Sequence, residues 1–364
     1  MNTPGDYLPV EPIPDPAGIQ KRAWTIRKPS EILAMTFDDS DIYLGDRIMA
    51  AGQPMTLLGA GGTGKSRLLL QLAACMTTGR KFIGFETRGG DLKWLFLQTE
   101  NSNQRLKDDL QNINKWLGKD WPLFDAQVHI HTLENDEDGI VNLADLNNQT
   151  EISRLIEEIK PDIIAFDPLG DFGIGDLSKD VDMRETCRAI TRICKKGNPN
   201  RAILVAHHAI TGRAGASKAT GFDRASFGRN SKVLLGWTRA QINVTGANPD
   251  NNETLIISCG KLSNGKEFEA FAVKLNLHSM IYDVDSHFDL GAWQKEISGK
   301  PVGPVMTPDR VRELCKGELS KPELAKAIME DCGCARGSAY RFIERAEKSK
   351  KISQSKINDK YSRK

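Results

Sequence analysis

Residues 57–72 read LLGAGGTGKSRLLLQL and contain the spacing Gly59-x-x-x-x-Gly64-Lys65-Ser66. Glycines so placed let the backbone curl until successive N–H groups converge on one point. A helix opening at Lys65 adds the positive end of its dipole there. The chemistry this suits is phosphate binding, with Gly59, Gly61, Gly62, Thr63, Gly64, Lys65, Ser66 and Arg67 as the candidate cradle. Lys65 would set its ammonium on the β/γ oxygens, and the Ser66 hydroxyl would take Mg²⁺. Such a metal needs a carboxylate. LIEEIKPDIIAFDPLGDFG delivers Asp167 at the end of an apolar strand, where it would hold Mg²⁺ through water. Hydrolysis also needs a group that orients or deprotonates water, and Glu100, at the exit of WLFLQTENSNQRL, is the candidate. ILVAHHAI ends in His207-His208, two titratable rings placed to sense a γ-phosphate. Adjacent strand residues point to opposite faces, which argues against their sharing a metal.

Positioning these groups requires strands that end near one another. Apolar runs at Met55–Gly59, Lys93–Gln98, Val128–Leu133, Asp162–Asp167, Ala202–His207, Lys232–Trp237 and Thr254–Gly260 read as strands. Helical periodicity occupies 65–78, 101–117, 147–160 and 180–196. Strands alternating with helices of this length imply an α/β fold with a mostly parallel sheet covered on both faces. From about residue 232 no helices intervene, so the last strands, including 266–275, are expected to finish the sheet as antiparallel hairpins. Residues 1–28, Pro-rich and acidic in MNTPGDYLPVEPIPDPAGIQ, are expected to be a disordered or extended N-terminal arm, and 29–297 the main domain. A Gly/Pro-rich linker follows at 298–306, then a small domain at 307–364. TPDRVRELCKG, SKPELAKAIMED and ARGSAYRFIERAEKSK read as three short helices, with Thr307 and Ser320 as N-caps and Pro308 and Pro322 in the first turns.

No apolar run is long enough to span a membrane. The seven scattered cysteines give neither a disulfide framework nor a zinc pattern, so a reduced, cytoplasmic protein is expected. The net charge of +2 hides an asymmetry. Residues 301–364 carry 15 Lys and Arg against 9 Asp and Glu, a net +6, while the remainder carries 35 against 39, a net −4. A basic module on a mildly acidic body fits an anionic partner such as nucleic acid.

Taken together, the loop, Glu100, Asp167-Pro168-Leu169 and His207-His208 resemble the RecA-fold P-loop ATPases, and among them the plasmid RepA-type hexameric replicative helicases. The resemblance covers about 30–285 and makes 29–297 a RecA-like domain. It implies ATP and Mg²⁺ as cofactors, Glu100 as the catalytic glutamate, Asp167 as the metal acid, and assembly as a homo-oligomer, a hexamer. The family's Arg-Gly-Ser-Ser-like segment, whose arginine reaches the neighbouring subunit, corresponds to DRASFGRNSK, with Arg224 or Arg229 in that role. Neither register keeps the glycine. The Lys-x-Asn-like turn corresponds to Lys261-Leu262-Ser263-Asn264, which makes Lys261 a second trans contact, although Ser263 stands where asparagine is expected.

Loops at 168–180 and 210–224 occupy the places that line a DNA channel in RecA-like proteins. In the second of these, Arg213 and Lys218 suit a phosphate backbone, and Phe222 is its one aromatic for stacking. The C-terminal helices followed by KKISQSKINDKYSRK resemble a winged helix-turn-helix. Arg336 and Ser338 would then lie near the bases of a duplex, and Arg341 or Arg345 on its backbone. The expected activity is a ring-forming replicative DNA helicase. The alternatives are a RecA-like recombination or repair ATPase and an ATP-switched DNA-binding regulator or loader.

Overall fold

The computed structural model describes residues 25–36, 39–88, 90–228, 232–248, 251–298, 306–332, 336–355 and 360–363. The chain divides into two units, Met1–Asp39 and Ser40–Lys364. In the first, Pro29–Leu33 forms a short helix with proline at its start, and Glu31 accepts a hydrogen bond from the Lys28 backbone N–H at 2.7 Å.

Nine strands of the second unit build one sheet. They are β1 (Pro54–Gly59), β2 (Trp94–Gln98), β3 (Val128–Ile130), β4 (Ile163–Asp167), β5 (Ala202–His208), β6 (Ala240–Gly246), β7 (Thr254–Leu262), β8 (Phe271–Asn276) and β9 (Ile281–Val284). Their spatial order is β3-β2-β4-β5-β1-β6-β7-β8-β9, parallel through β6 and antiparallel beyond it. The helices that position the site are α1 (Lys65–Thr78), α2 (Asn103–Leu117), α3 (Leu146–Ile159), α4 (Asp180–Lys195), α5 (Gly212–Thr220) and α6 (Lys232–Trp237), followed by α7 (Leu290–Ile297).

The central strands are apolar at nearly every position because both faces are covered. Alternate residues separate into two cores. Met55, Leu57, Phe96, Ala165 and Leu204 pack with Leu69, Ala73 and Met76 of α1. Leu58, Leu97, Ile164, Phe166, Ile203 and Val205 pack on the other face with Ile152, Ile156, Ile190 and Leu234. The expected α/β core, a mostly parallel sheet covered by helices, is the one that forms. One strand, β5, lies between the phosphate-loop strand β1 and the acid-bearing strand β4.

Three expectations for local structure are corrected. Lys232–Trp237 is a helix, not a strand. KVLLGW is too short to show a period, and its Leu234 packs among the core residues of α4 while Trp237 Nε1 donates to Thr191 Oγ1 at 3.0 Å. The strand comes next, at Ala240–Gly246, disguised by buried Gln241 and Asn243. Both amides are satisfied by carbonyls of Ala219, Arg224 and Ala225. Residues 210–224 are not all loop, since Gly212–Thr220 is helical. In 266–275 the strand begins only at Phe271.

Residues 306–363 contain α8 (Pro308–Leu314), β10 (Leu319–Ser320), α9 (Lys321–Cys332), α10 (Arg336–Lys348), β11 (Ile352–Gln354) and β12 (Lys360–Arg363). The three strands pair in the order β10-β12-β11. Val311, Leu324, Ile328, Ala339, Ile343, Ile352 and Tyr361 form a core of their own. Thr307 caps α8, accepting from Arg310 N at 3.1 Å, and Arg310 pairs with Asp331 at 2.7 Å.

Candidate nucleotide site

The phosphate loop hangs between the end of β1 and the start of α1, because β1 is central and its register places Gly59 beside His208 of β5 and Val244 of β6. Gly62 and Gly64 have φ of +73° and +80°, a region that disfavours any side chain. Gly59 is required for a different reason: a β-carbon there would meet Thr63 Oγ1 at 2.7 Å and Val244 O at 2.9 Å. Lys65 is buried and folds back into the loop, donating to Gly59 O at 3.0 Å and Ala60 O at 2.8 Å. Its ammonium is thus already inside the curl. Burial lowers the Lys65 pKa, against the raising influence of Asp167 and Glu100.

Asp167 is buried at the C-terminal end of β4, and that burial pushes its carboxyl pKa up. The Ser66 hydroxyl bonds to it, and Lys65 and His208 act in the opposite direction to the burial, while Glu100 adds to it. A buried carboxylate bonded to a hydroxyl, with a second acid nearby, is an oxygen donor set that a hard divalent cation fits. Glu100 is exposed at the mouth, and its Oε1 lies 3.8 Å from His208 Nε2. The His207 and His208 rings sit 6.5 Å apart, with His207 buried and His208 half-buried toward Glu100. The turn bearing Glu100 is held by its neighbours. Gln98 Oε1 accepts from Asn101 N at 2.8 Å, and Thr99 Oγ1 bonds to Asp171 Oδ2 in the loop after β4.

Lys65, Ser66, Asp167, Glu100 and His208 therefore come together from four segments. Arg67 instead turns sideways, pairing with Asp109 at 3.1 Å and bonding to Tyr282; Asp109 also takes Arg105 at 2.8 Å. Four residues here were not singled out from the sequence. Asp109 was legible as an i+4 partner of Arg105, whereas Asn252, which bonds to Gly62 O, Tyr282, which bonds to Asn252 O, and Gln71, which bonds to Tyr282 O, carry no local signal.

The remaining candidates lie elsewhere. Arg224 pairs with Glu267 at 2.5 Å, and Lys261 donates to Leu235 O at 2.7 Å and Thr238 O at 2.8 Å. Lys261 lies opposite Gln241, which pairs with Thr56, so it sits three residues before Gly59 along the sheet. Neither cation enters this chain's own phosphate site. Arg229 falls outside the described residues. Arg213 and Lys218 lie on α5, and Phe222 just beyond it is fully exposed. Lys218 lines a cavity of about 390 Å³ with Ile210, Ser226, Lys232 and Leu235. Arg336, Ser338, Arg341 and Arg345 lie on α10, where Arg341 and Arg345 are exposed and Phe342 and Ile343 turn toward the core. No helix among the described residues is long and apolar enough to cross a membrane.

Comparison with curated proteins finds no significant match. Many solved structures resemble the chain. They include the KaiC-like protein PH0186 of Pyrococcus horikoshii OT3, 14% identical, with a TM-score of 0.42 over 65% of this chain and 91% of that one. Residues 33–214, which carry the phosphate loop, Glu100, Asp167 and both histidines, match the AAA domain family. The chain belongs to that family of P-loop ATPases.

Proposed function

We propose that this protein hydrolyses Mg-ATP and uses the energy as a ring-forming motor on DNA, most similar in kind to the RepA-type hexameric replicative helicases. The observation that carries the hydrolysis is the convergence of Lys65, the Ser66–Asp167 pair and Glu100 with His208 at one sheet edge. Ser66 and Asp167 would hold Mg²⁺, which supplies charge neutralisation on the β/γ oxygens. Glu100 would orient the attacking water. His208, within reach of Glu100, would report the state of the γ-phosphate toward α5.

The DNA reading rests on Phe222, fully exposed just after α5, the helix whose sequence carries Arg213 and Lys218. An exposed aromatic in a segment that also carries cations suits single-stranded DNA, which binds by stacking and backbone charge. The order helix, strand, two helices, two strands in 306–363 supports a winged helix-turn-helix that would take duplex DNA through Arg336, Ser338, Arg341 and Arg345 on α10. Arg224, Arg229 and Lys261 remain the proposed trans contacts of the homo-oligomer, and the site of action is the cytoplasm.

One observation favours the ATP-switched DNA-binding regulator as a second reading: Arg224 and Lys261 are both engaged within their own chain. Strand displacement separates the two. The motor should show ATPase activity stimulated by single-stranded DNA and should release an annealed strand. Hydrolysis indifferent to DNA, with normal DNA binding by Lys65→Ala, would leave the switch and end the motor.

A further inference from the structure

We infer that Asn252 is a positioning residue for the phosphate loop, holding the Gly62 peptide from the antiparallel half of the sheet and presetting it for the nucleotide. The inference rests on the reading of that loop as a nucleotide site. Asn252 Nδ2 donates to Gly62 O at 2.7 Å across 190 positions of sequence. The Gly62 α-carbon itself faces open space, since nothing lies within 4 Å of where its β-carbon would be. In a trans peptide the carbonyl and the following N–H point in opposite directions. Drawing Gly62 O outward to Asn252 therefore turns the Thr63 N–H into the curl. There it meets only Ala60 O, at 3.4 Å, a long contact that a phosphate oxygen would replace.

The reach of Asn252 is itself prepared. Its Oδ1 lies 3.0 Å from where a β-carbon of Gly246 would stand, so the glycine ending β6 leaves room for the amide. Its backbone carbonyl accepts from Tyr282 Oη at 3.2 Å. Tyr282 in turn exchanges two bonds with the Gln71 amide of α1, N to Oε1 at 2.9 Å and Nε2 to O at 2.7 Å. Gly62, Asn252, Tyr282 and Gln71 thus connect the loop and its helix to β9 and the β6–β7 hairpin. A loop preset in this way binds phosphate without first being ordered, which is an affinity gain at no new contact with the ligand. Asparagine supplies the donor without adding a charge that would compete for the phosphates.

The test uses the full chain with Asn252→Ala, Asn252→Asp and Tyr282→Phe. Binding of Mg-AMP-PNP is measured by calorimetry, beside steady-state ATPase and thermal unfolding without ligand. Loss of one exposed hydrogen bond should weaken AMP-PNP binding by about fivefold in Asn252→Ala, as a rise in KM with kcat nearly unchanged. Asn252→Asp should bind more weakly still, because a carboxylate then faces the Gly62 carbonyl and the phosphates. Tyr282→Phe should shift binding in the same direction and by less. Unliganded Asn252→Ala should melt within about 2 °C of the wild type. Wild-type affinity in Asn252→Ala, or a loss accompanied by an equal fall in unliganded stability, overturns the assignment. A wild-type chain that does not bind Mg-AMP-PNP would remove the nucleotide reading itself, and the inference with it.

Discussion

Gly64→Ala is the substitution whose cost can be worked out most fully. Gly64 stands at the start of α1 with φ of +80°, where an L side chain costs about 1–2 kcal/mol. The new β-carbon would also lie 2.7 Å from Tyr282 Oη and 3.4 Å from the ring carbon bearing it. Tyr282 cannot retreat, being buried and held at both its N–H and its carbonyl by Gln71. Overpacking against a fixed neighbour adds about 1–3 kcal/mol. The single variant should therefore lose about 2–5 kcal/mol, the sum of those two costs. Tyr282→Phe alone gives up the hydroxyl's bonds to Asn252 O and to Arg67, worth about 2 kcal/mol together. In the double variant the hydroxyl is gone and the clash with it, leaving the backbone strain and the lost hydrogen bonds of the hydroxyl. The two changes should thus be sub-additive by about 1–3 kcal/mol, read from urea unfolding of the four proteins as a double-mutant cycle. Additivity to within about 0.5 kcal/mol would refute the contact and with it the account of why glycine is needed here.

Glu100→Gln should lower ATP hydrolysis by about 10²–10⁴-fold while leaving Mg-AMP-PNP binding intact; equal loss of both would make Glu100 a binding group instead. Asp167→Asn should raise the Mg²⁺ concentration needed for half-maximal ATPase, and EDTA should abolish the activity, whereas an unchanged Mg²⁺ titration would remove Asp167 from the metal site. Arg224→Ala should cut hydrolysis by about 10³-fold in an assembled oligomer if this arginine reaches a neighbour's γ-phosphate. Glu267→Ala, which frees the same arginine from its partner, should leave the rate unchanged or raise it, and a matching loss in both would reduce the pair to a structural ion bridge.

Much of the site was legible in the chain because its groups sit at strand ends, where local patterns are strong. Apolar runs ending in Gly59, Glu100, Asp167 and His208 announce both the strand and the residue it delivers, and parallel pairing makes those ends meet. Lys232–Trp237 was misread since a six-residue apolar run has no period of its own; the packing of Leu234 and the Trp237–Thr191 bond decided for helix. Ala240–Gly246 was missed because two buried amides interrupt its alternation, and only the carbonyls of Ala219, Arg224 and Ala225 make them tolerable inside.

The amino-acid sequence by itself determined the phosphate loop, the acids that accompany it and the alternation that builds a parallel sheet, since each depends on contacts within a few residues or on hydrophobic period. Tertiary structure alone decided what supports them. Arg67 faces Asp109 and Tyr282, Lys261 turns to the carbonyls of Leu235 and Thr238, and Asn252 reaches Gly62. Those partners are distant in the chain, and a single hydrogen bond between such residues leaves no pattern in either neighbourhood. It exists only once nine strands have brought both ends to the same edge.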